Sequence, residues 1–199
     1  MAERDHSSPS TQPGHYGEPG NGVVFAEATI ASAWNAQGDA EQPTFADAAR
    51  SLFGVPLPVT PKTVARSNAI SALWLGPKSW LLLGRNGSLL ADFNARRDAL
   101  NAVGGALFEV SASRIAWTIA GPRAASVLAK GCPLDFHPRV FPPGSCAQSL
   151  LGHVNALFVS EGDGFIVLVA RSFARDVWQA LCQSAAQYGY EVKPQAPYR

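Results

Sequence analysis

The spacing of apolar residues divides the chain into short strands and helices, and the pattern is sharpest from about residue 64 onward. Residues 114–120 show it best, because Ile115, Trp117 and Ile119 share one face while small or polar residues share the other. Similar reasoning predicts strands over residues 71–75, 80–83, 106–110, 114–120, 146–159, 165–170 and 190–192. The strand over 146–159 is either continuous or broken at Gly152.

Three helices are predicted between these strands. The first covers residues 89–103 and ends at Gly104, and the second begins at Pro122 and ends at Gly131. In the third, Ser172 is the expected N-cap. Its apolar stripe is predicted to consist of Phe173, Val177, Leu181 and Ala185.

The order β-β-α-β-β-α-β-β-α-β repeats the split βαβ pattern of ferredoxin-like units. It predicts an α+β fold with antiparallel or mixed sheets and helices packed on one face. The sequence has neither a GxGxxG run after a strand nor a GxxxxGK[ST] run, so no nucleotide site is predicted.

The beginning of the chain reads differently. Residues 1–22 are rich in Ser, Pro, Gly and charges, which predicts a disordered tail. Residues 23–62 are expected to form a lead-in with a short helix near Phe45, followed by an extended Pro-rich stretch over 54–61. The α+β domain is then predicted to occupy residues 63–199.

Charge is scarce, at 16% of the 199 residues against about 25% in an average domain. The net charge of +1 excludes a general attraction to nucleic acid or to a membrane surface. It conceals an asymmetry, because residues 1–50 carry a net −5 and residues 51–199 a net +6 with 10 Arg. A chain that buries surface within a complex needs less charge than a soluble monomer, so we expect a subunit.

The three Cys form an odd set without a CxxC pair, which argues against a disulfide scaffold and a structural zinc site. Residues 1–22 contain no apolar core of a signal peptide, and the longest apolar runs are too short to span a bilayer. A cytoplasmic location is therefore expected.

Candidate chemistry gathers in the Pro-rich loop over residues 132–144 and the Cys that follows it. The loop region offers Cys132, Asp135, His137, Arg139 and Cys146, which could form a nucleophile system or a metal site. The favoured alternative is a rigid docking loop, because its four Pro restrict its shape. We assign no catalytic residue and no metal ligand. The loop's interface candidates are Asp135, His137, Arg139 and Phe141.

Several basic residues outside the loop could also meet a partner. Arg114 could bind a carboxylate of a substrate or partner, although a local salt bridge with Glu109 is the favoured interpretation. Arg171 and Arg175 flank the start of the last helix, where cations are unfavourable. They are interface candidates for an acidic partner surface, with ordinary solvent exposure as the alternative.

Two groups of motifs carry a family resemblance. Residues 108–111 (FEVS), 114–124 (RIAWTIAGPRA) and 127–131 (VLAKG) resemble the folate-binding aminomethyltransferase superfamily, with Glu109 in place of its usual Asp. More narrowly, four runs resemble the gamma-subunit family of heterotetrameric sarcosine oxidases. They are residues 73–83 (LWLGPKSWLLL), 130–138 (KGCPLDFHP), 141–148 (FPPGSCAQ) and 171–175 (RSFAR).

The resemblance implies the aminomethyltransferase N-terminal fold and a heterotetramer with alpha, beta and delta subunits. That complex demethylates sarcosine oxidatively to glycine, and its FAD, FMN, NAD and tetrahydrofolate are implied to lie on the other chains. This chain would then be a non-catalytic assembly subunit that binds no cofactor alone. One alternative is the same subunit in a related N-methyl amino acid dehydrogenase. Another is a free-standing folate-binding protein, for which Glu109, Arg114 and Arg139 are the candidate folate contacts.

Overall fold

The computed structural model describes residues 12–88, 90–162 and 164–198. The strands of this part of the chain are β1 (Gly14–Tyr16), β2 (Val23–Thr29), β3 (Ala33–Gln37), β4 (Val64–Arg66), β5 (Ile70–Gly76), β6 (Ser79–Gly84), β7 (Ala106–Glu109), β8 (Arg114–Ala120), β9 (Cys146–Leu151), β10 (Val154–Glu161), β11 (Gly164–Ala170) and β12 (Tyr190–Pro197). Its α-helices are α1 (Pro43–Phe53), α2 (Phe93–Asn101), α3 (Ala124–Ala129) and α4 (Ala174–Ala185).

The strands form two sheets. The larger sheet has seven strands in the order β1-β12-β2-β8-β11-β10-β9, and the smaller has five in the order β4-β5-β6-β3-β7. Neighbours are antiparallel throughout except for β12 and β2, which run parallel. The larger sheet is therefore mixed and the smaller one antiparallel, as the sequence predicts.

Helices cover one face of each sheet. On the larger sheet, α3 and α4 cover the outer face, where Trp178 of α4 stacks on Trp117 of β8 with ring centroids 5.9 Å apart. On the smaller sheet, α1 and α2 cover the outer face through Phe45 and Leu100. The expected α+β class, with helices on one face of each sheet, is confirmed.

The inner faces of the two sheets pack against each other through a third apolar cluster. Leu73 and Leu83 of the smaller sheet meet Leu168 of the larger sheet there, and Tyr198 is fully buried in the same cluster. Tyr198 follows β12, and its backbone joins Thr29 and Asn86 by hydrogen bonds of 3.0 and 2.6 Å. Burial raises the pKa of its hydroxyl to about 12.

The division of the chain at residue 63 needs correction. β2 lies inside the larger sheet between β12 and β8, and β3 lies inside the smaller sheet between β6 and β7. Residues 23–62 are thus part of both sheets and not a lead-in, although the short helix is present as α1. The tail prediction falls partly outside the described residues, and within them Gly14–Tyr16 pairs with Tyr190–Val192 as an edge strand.

Of the two alternatives for residues 146–159, the break is correct, because the chain reverses at Gly152, whose φ is 62°, and forms the hairpin β9–β10. Two other local expectations change. The second helix begins at Ala124, two residues after Pro122. A 3₁₀ turn over Arg171–Phe173 precedes α4, so Ser172 caps nothing. Phe173 is 42% exposed because the turn moves it off the apolar stripe.

Replacing Tyr198 by Ala should destabilise the chain markedly, because a large ring is removed from between the sheets. We expect Tyr198→Ala to lower the free energy of unfolding by about 3 kcal/mol. The matched control, Phe108→Ala, removes a ring that is 49% exposed and should cost no more than about 0.5 kcal/mol. Urea unfolding followed by Trp fluorescence measures both. Equal losses in the two variants would contradict the inner cluster's importance.

Candidate functional site

A cleft of about 600 Å³ opens where the two sheets separate at one end. Its volume is within the roughly 300–1,000 Å³ range of ligand-binding pockets. The smaller sheet contributes two leucines, and β8, β9, β10 and β11 contribute most of the other residues. The residues that line it are Leu75, Leu81, Arg114, Pro133, Gln148, Ser149, Leu150, Asn155, Ala156, Leu157 and Leu168.

One cation stands among these mostly apolar groups. Of the described residues that line the cleft, Arg114 is the single charged one, and it is half-buried. It begins β8, where it pairs with Ala170 at the end of β11. Strand alternation puts Arg114 on the same face as Ala116, which belongs to the inner cluster, and opposite Ile115. Its side chain therefore emerges on the face that looks toward the smaller sheet.

The expected salt bridge between Arg114 and Glu109 is not formed. The two oxygens of Glu109 accept hydrogen bonds from Trp34 Nε1 at 2.6 Å and from the Ser111 backbone N–H at 3.0 Å. Among the described residues, the ion pairs are Arg66–Glu161, Lys78–Asp39 and Arg97–Asp98. Glu109 thus fixes the end of β7 to β3, and the guanidinium of Arg114 has no carboxylate partner in the described part of the chain.

Arg171, an interface candidate, supports the backbone beside the cleft. Its Nε donates to the carbonyl of Ala112 at 3.0 Å, and its Nη2 donates to the carbonyl of Arg114 at 2.8 Å. The side chain remains exposed, so it brings a second positive charge close to Arg114. Arg175 is exposed in the first turn of α4 nearby in the chain.

The Pro-rich loop is held by its own hydrogen bonds. The Asp135 carboxylate accepts from the His137 N–H at 2.8 Å, and the His137 carbonyl accepts from the Phe141 N–H at 2.9 Å. The side chains of Asp135, His137 and Arg139 are exposed, which keeps them available as interface candidates.

Phe141 is the exception, because its ring is only 5% exposed and cannot meet a partner directly. It packs edge-on against Phe136, with centroids 6.0 Å apart, and stacks on Phe165. The proposal of Phe141 as an interface residue is therefore corrected: its apolar ring anchors the loop to the core. Phe136, which no sequence pattern singles out, is also buried.

The candidate residues lie at opposite ends of the larger sheet. Pro138 and Phe141 border a hollow of about 190 Å³ together with Gly164, the first residue of β11. Arg114 instead pairs with Ala170, the last residue of β11, and six strand residues span roughly 20 Å. Glu109, Arg114 and Arg139 therefore do not converge on one folate site. The interface candidates likewise form two groups, one on the loop and one beside the cleft.

Both cysteines of the loop region, Cys132 and Cys146, are buried, and Cys146 is not poised for nucleophilic chemistry. Cys146 is buried, and its thiol contacts the carbonyl oxygens of Thr63 and Trp74 at 3.3 and 3.4 Å. Burial raises its pKa to about 11. Within residues 12–88, 90–162 and 164–198, no three His, Cys, Asp or Glu side chains cluster in a way that could hold a metal ion.

No helix of the described residues is both long and apolar enough to cross a membrane.

The fold is shared with about half of an aminomethyltransferase. The glycine cleavage system aminomethyltransferase T from Bartonella henselae superimposes with a TM-score of 0.62 at 14% identity, over 89% of this chain and 48% of that one. A chain of the heterotetrameric sarcosine oxidase from Corynebacterium sp. U-96, in complex with pyrrole 2-carboxylate, superimposes with a TM-score of 0.78 at 26% identity. That match covers 87% of this chain and 88% of the other.

Sequence comparison identifies the family. The sarcosine oxidase, gamma subunit family model matches residues 37–187. The sarcosine oxidase subunit gamma of Corynebacterium sp. strain U-96 is 31% identical over 137 residues, which are 68% of this chain and 66% of that protein. That of an Arthrobacter species is 32% identical over 62% of this chain and 60% of its own length. The chain belongs to the sarcosine oxidase gamma subunit family, and the match spans about two thirds of these relatives.

The burial of Cys146 leads to a labelling prediction. At pH 8 a thiol with a pKa near 11 is almost wholly protonated, so Cys146 should not react with a maleimide in the folded chain. The chain has three Cys, and all three should react in urea. Mass spectrometry counts the labels. As a control, Cys146→Ala should lose one label in urea and none in the native state. A native label on Cys146 would contradict this description.

Proposed function

We propose that this chain is the gamma subunit of a flavin-dependent heterotetrameric sarcosine oxidase, in which it supports assembly. The observation that carries the proposal is the match over 87% of this chain and 88% of a chain of the Corynebacterium heterotetramer. A likeness over nearly the full length of both chains favours the same place in the same kind of complex. The partners would be the alpha, beta and delta subunits, in the cytoplasm.

An assembly role fits the way this chain uses its reactive groups. Cys146 is bound to two backbone carbonyls, and Glu109 is bound to Trp34 and Ser111. Arg171 is bound to two further carbonyls. Each of these groups joins parts of the fold to one another, so none is left arranged as a nucleophile with its base.

The redox chemistry would then belong to the other chains. We assign FAD, FMN, NAD and tetrahydrofolate to those chains, where flavin would accept the electrons of the sarcosine N-methyl group.

Substrate choice would also lie outside this subunit, so the same chain fits an enzyme that oxidises another N-methyl amino acid. Oxidation rates of the purified complex with sarcosine and with N-methylglutamate distinguish the two, and we expect sarcosine to be preferred.

Co-expression with the neighbouring gene products tests the assembly role. We expect the chain to elute with three other chains in equal amounts, and its omission to reduce the yield of flavin-loaded complex, because exposed subunit surface then remains uncovered. Native mass spectrometry and flavin absorbance measure the composition and the loading. A complex that forms with the same yield and activity without this chain would refute the proposal.

Titration calorimetry of the full chain with tetrahydrofolate separates this proposal from the folate-binding alternative. We expect no heat of binding, because Glu109 is engaged and Arg139 lies far from Arg114. Micromolar binding would favour the alternative.

A further inference from the structure

We propose that the cleft between the sheets docks an extended segment of a partner subunit, with an acidic residue of that segment bound to Arg114 and apolar neighbours on the leucines. The inference rests on the proposed function, because it needs the chain to be a subunit. Three features of the cleft support it, namely its charge, its apolar lining and its open strand edge.

The positive charge of Arg114 in the cleft favours the binding of an anionic group. Arg114 is half-buried, is the single charged residue of the lining, and meets no carboxylate among the described residues. Partial burial of an unpaired guanidinium is unfavourable, and a carboxylate with two hydrogen bonds in the plane of the guanidinium relieves that cost. The exposed Arg171, fastened to the Arg114 carbonyl, increases the local positive potential.

The leucines of the lining, which stand beside the polar Gln148, Ser149 and Asn155, favour a partner with apolar side chains next to its acidic residue. Leucines from both sheets surround Arg114 in the cleft, and they are Leu75, Leu81, Leu150, Leu157 and Leu168. Leu150 is 44% exposed, although it lies in a regular strand. Because apolar surface at a cleft is stabilised when another apolar group covers it, an aliphatic or aromatic partner residue fits here.

The open edge of the larger sheet favours a partner segment in an extended conformation. β9 is the last strand of that sheet and pairs with β10 alone in the described part of the chain. Three consecutive residues of β9, from Gln148 to Leu150, line the cleft. Their pairing partners on β10, from Asn155 to Leu157, line it as well, so the cleft lies beside the hairpin whose outer strand is this open edge.

An edge strand offers free backbone N–H and C=O groups to an added strand. The first residue of β9 is already covered, because the Cys146 N–H donates to Lys62 at 2.8 Å. Beyond it, the backbone of residues 148–150 meets no strand other than β10 in the described part of the chain, although the Gln148 side chain donates to the Leu75 carbonyl at 2.7 Å. A small carboxylate would satisfy Arg114 but would leave this edge and Leu150 uncovered.

The test measures how tightly variants of this chain hold to the co-expressed complex. Arg114→Glu and Leu150→Glu should each raise the dissociation constant of this chain at least about tenfold, as measured by native mass spectrometry on dilution. Arg50→Glu is the matched control, because Arg50 is an exposed cation on α1, which covers the outer face of the smaller sheet away from the cleft. It should change the constant less than about twofold.

A photo-crosslinking residue at position 150 identifies the occupant. The captured peptide should contain an acidic residue flanked by apolar ones.

Circular dichroism of each full-length variant reports whether it folds. If Arg114→Glu fails to fold, the inference is tested by Leu150→Glu and by the crosslink. Unchanged dissociation constants in both cleft variants, as a small-molecule site would give, or a captured peptide without an acidic residue, overturn the inference alone. A wild-type chain that never joins the complex overturns both this inference and the proposed function.

Discussion

Face-to-face packing of the two sheets is the constraint on which the rest of the structure depends. In the sequence, all five strands of the smaller sheet, β3 to β7, come between β2 and β8 of the larger sheet. The chain therefore crosses from the larger sheet to the smaller one and then returns. The larger sheet is thus divided in sequence by the smaller one, and the inner faces of the two sheets must match in shape. Tyr198 joins them at the end of the described chain, and the half-buried ion pair of Arg66 with Glu161, at 2.7 Å, links β4 to β10.

The same packing creates the surface that we associate with function. Where the inner faces separate, leucines at the margin of the inner cluster border a cleft, and Arg114 stands among them. The hydrogen bonds of Glu109 and Arg171 hold the turn between β7 and β8 in place, which fixes the position of Arg114. A subunit can in this way offer a rigid, cationic and partly apolar surface to a larger neighbour.

Sequence periodicity predicted the strand over residues 114–120 to the residue, because its alternation is strict. β3 carried a similar signal, with Trp34 and Ala36 buried and Asn35 and Gln37 less so, yet its five residues were assigned to a lead-in. The partner of Glu109 could not be foreseen, since Trp34 lies 75 positions earlier in the chain. The cleft could not be predicted from the sequence either, because its position depends on where the packing between the two sheets ends. The sequence singled out Arg114 but not the leucines around it.

The central claim is that this chain acts as a subunit and receives a partner segment in the cleft. An electron cryo-microscopy structure of the co-purified complex tests it most directly. The account predicts an extended partner segment along β9, with a carboxylate oxygen about 2.7–3.2 Å from the guanidinium of Arg114. A complex in which this chain is present, but its cleft faces solvent and Arg114 meets no acidic group, would contradict the account.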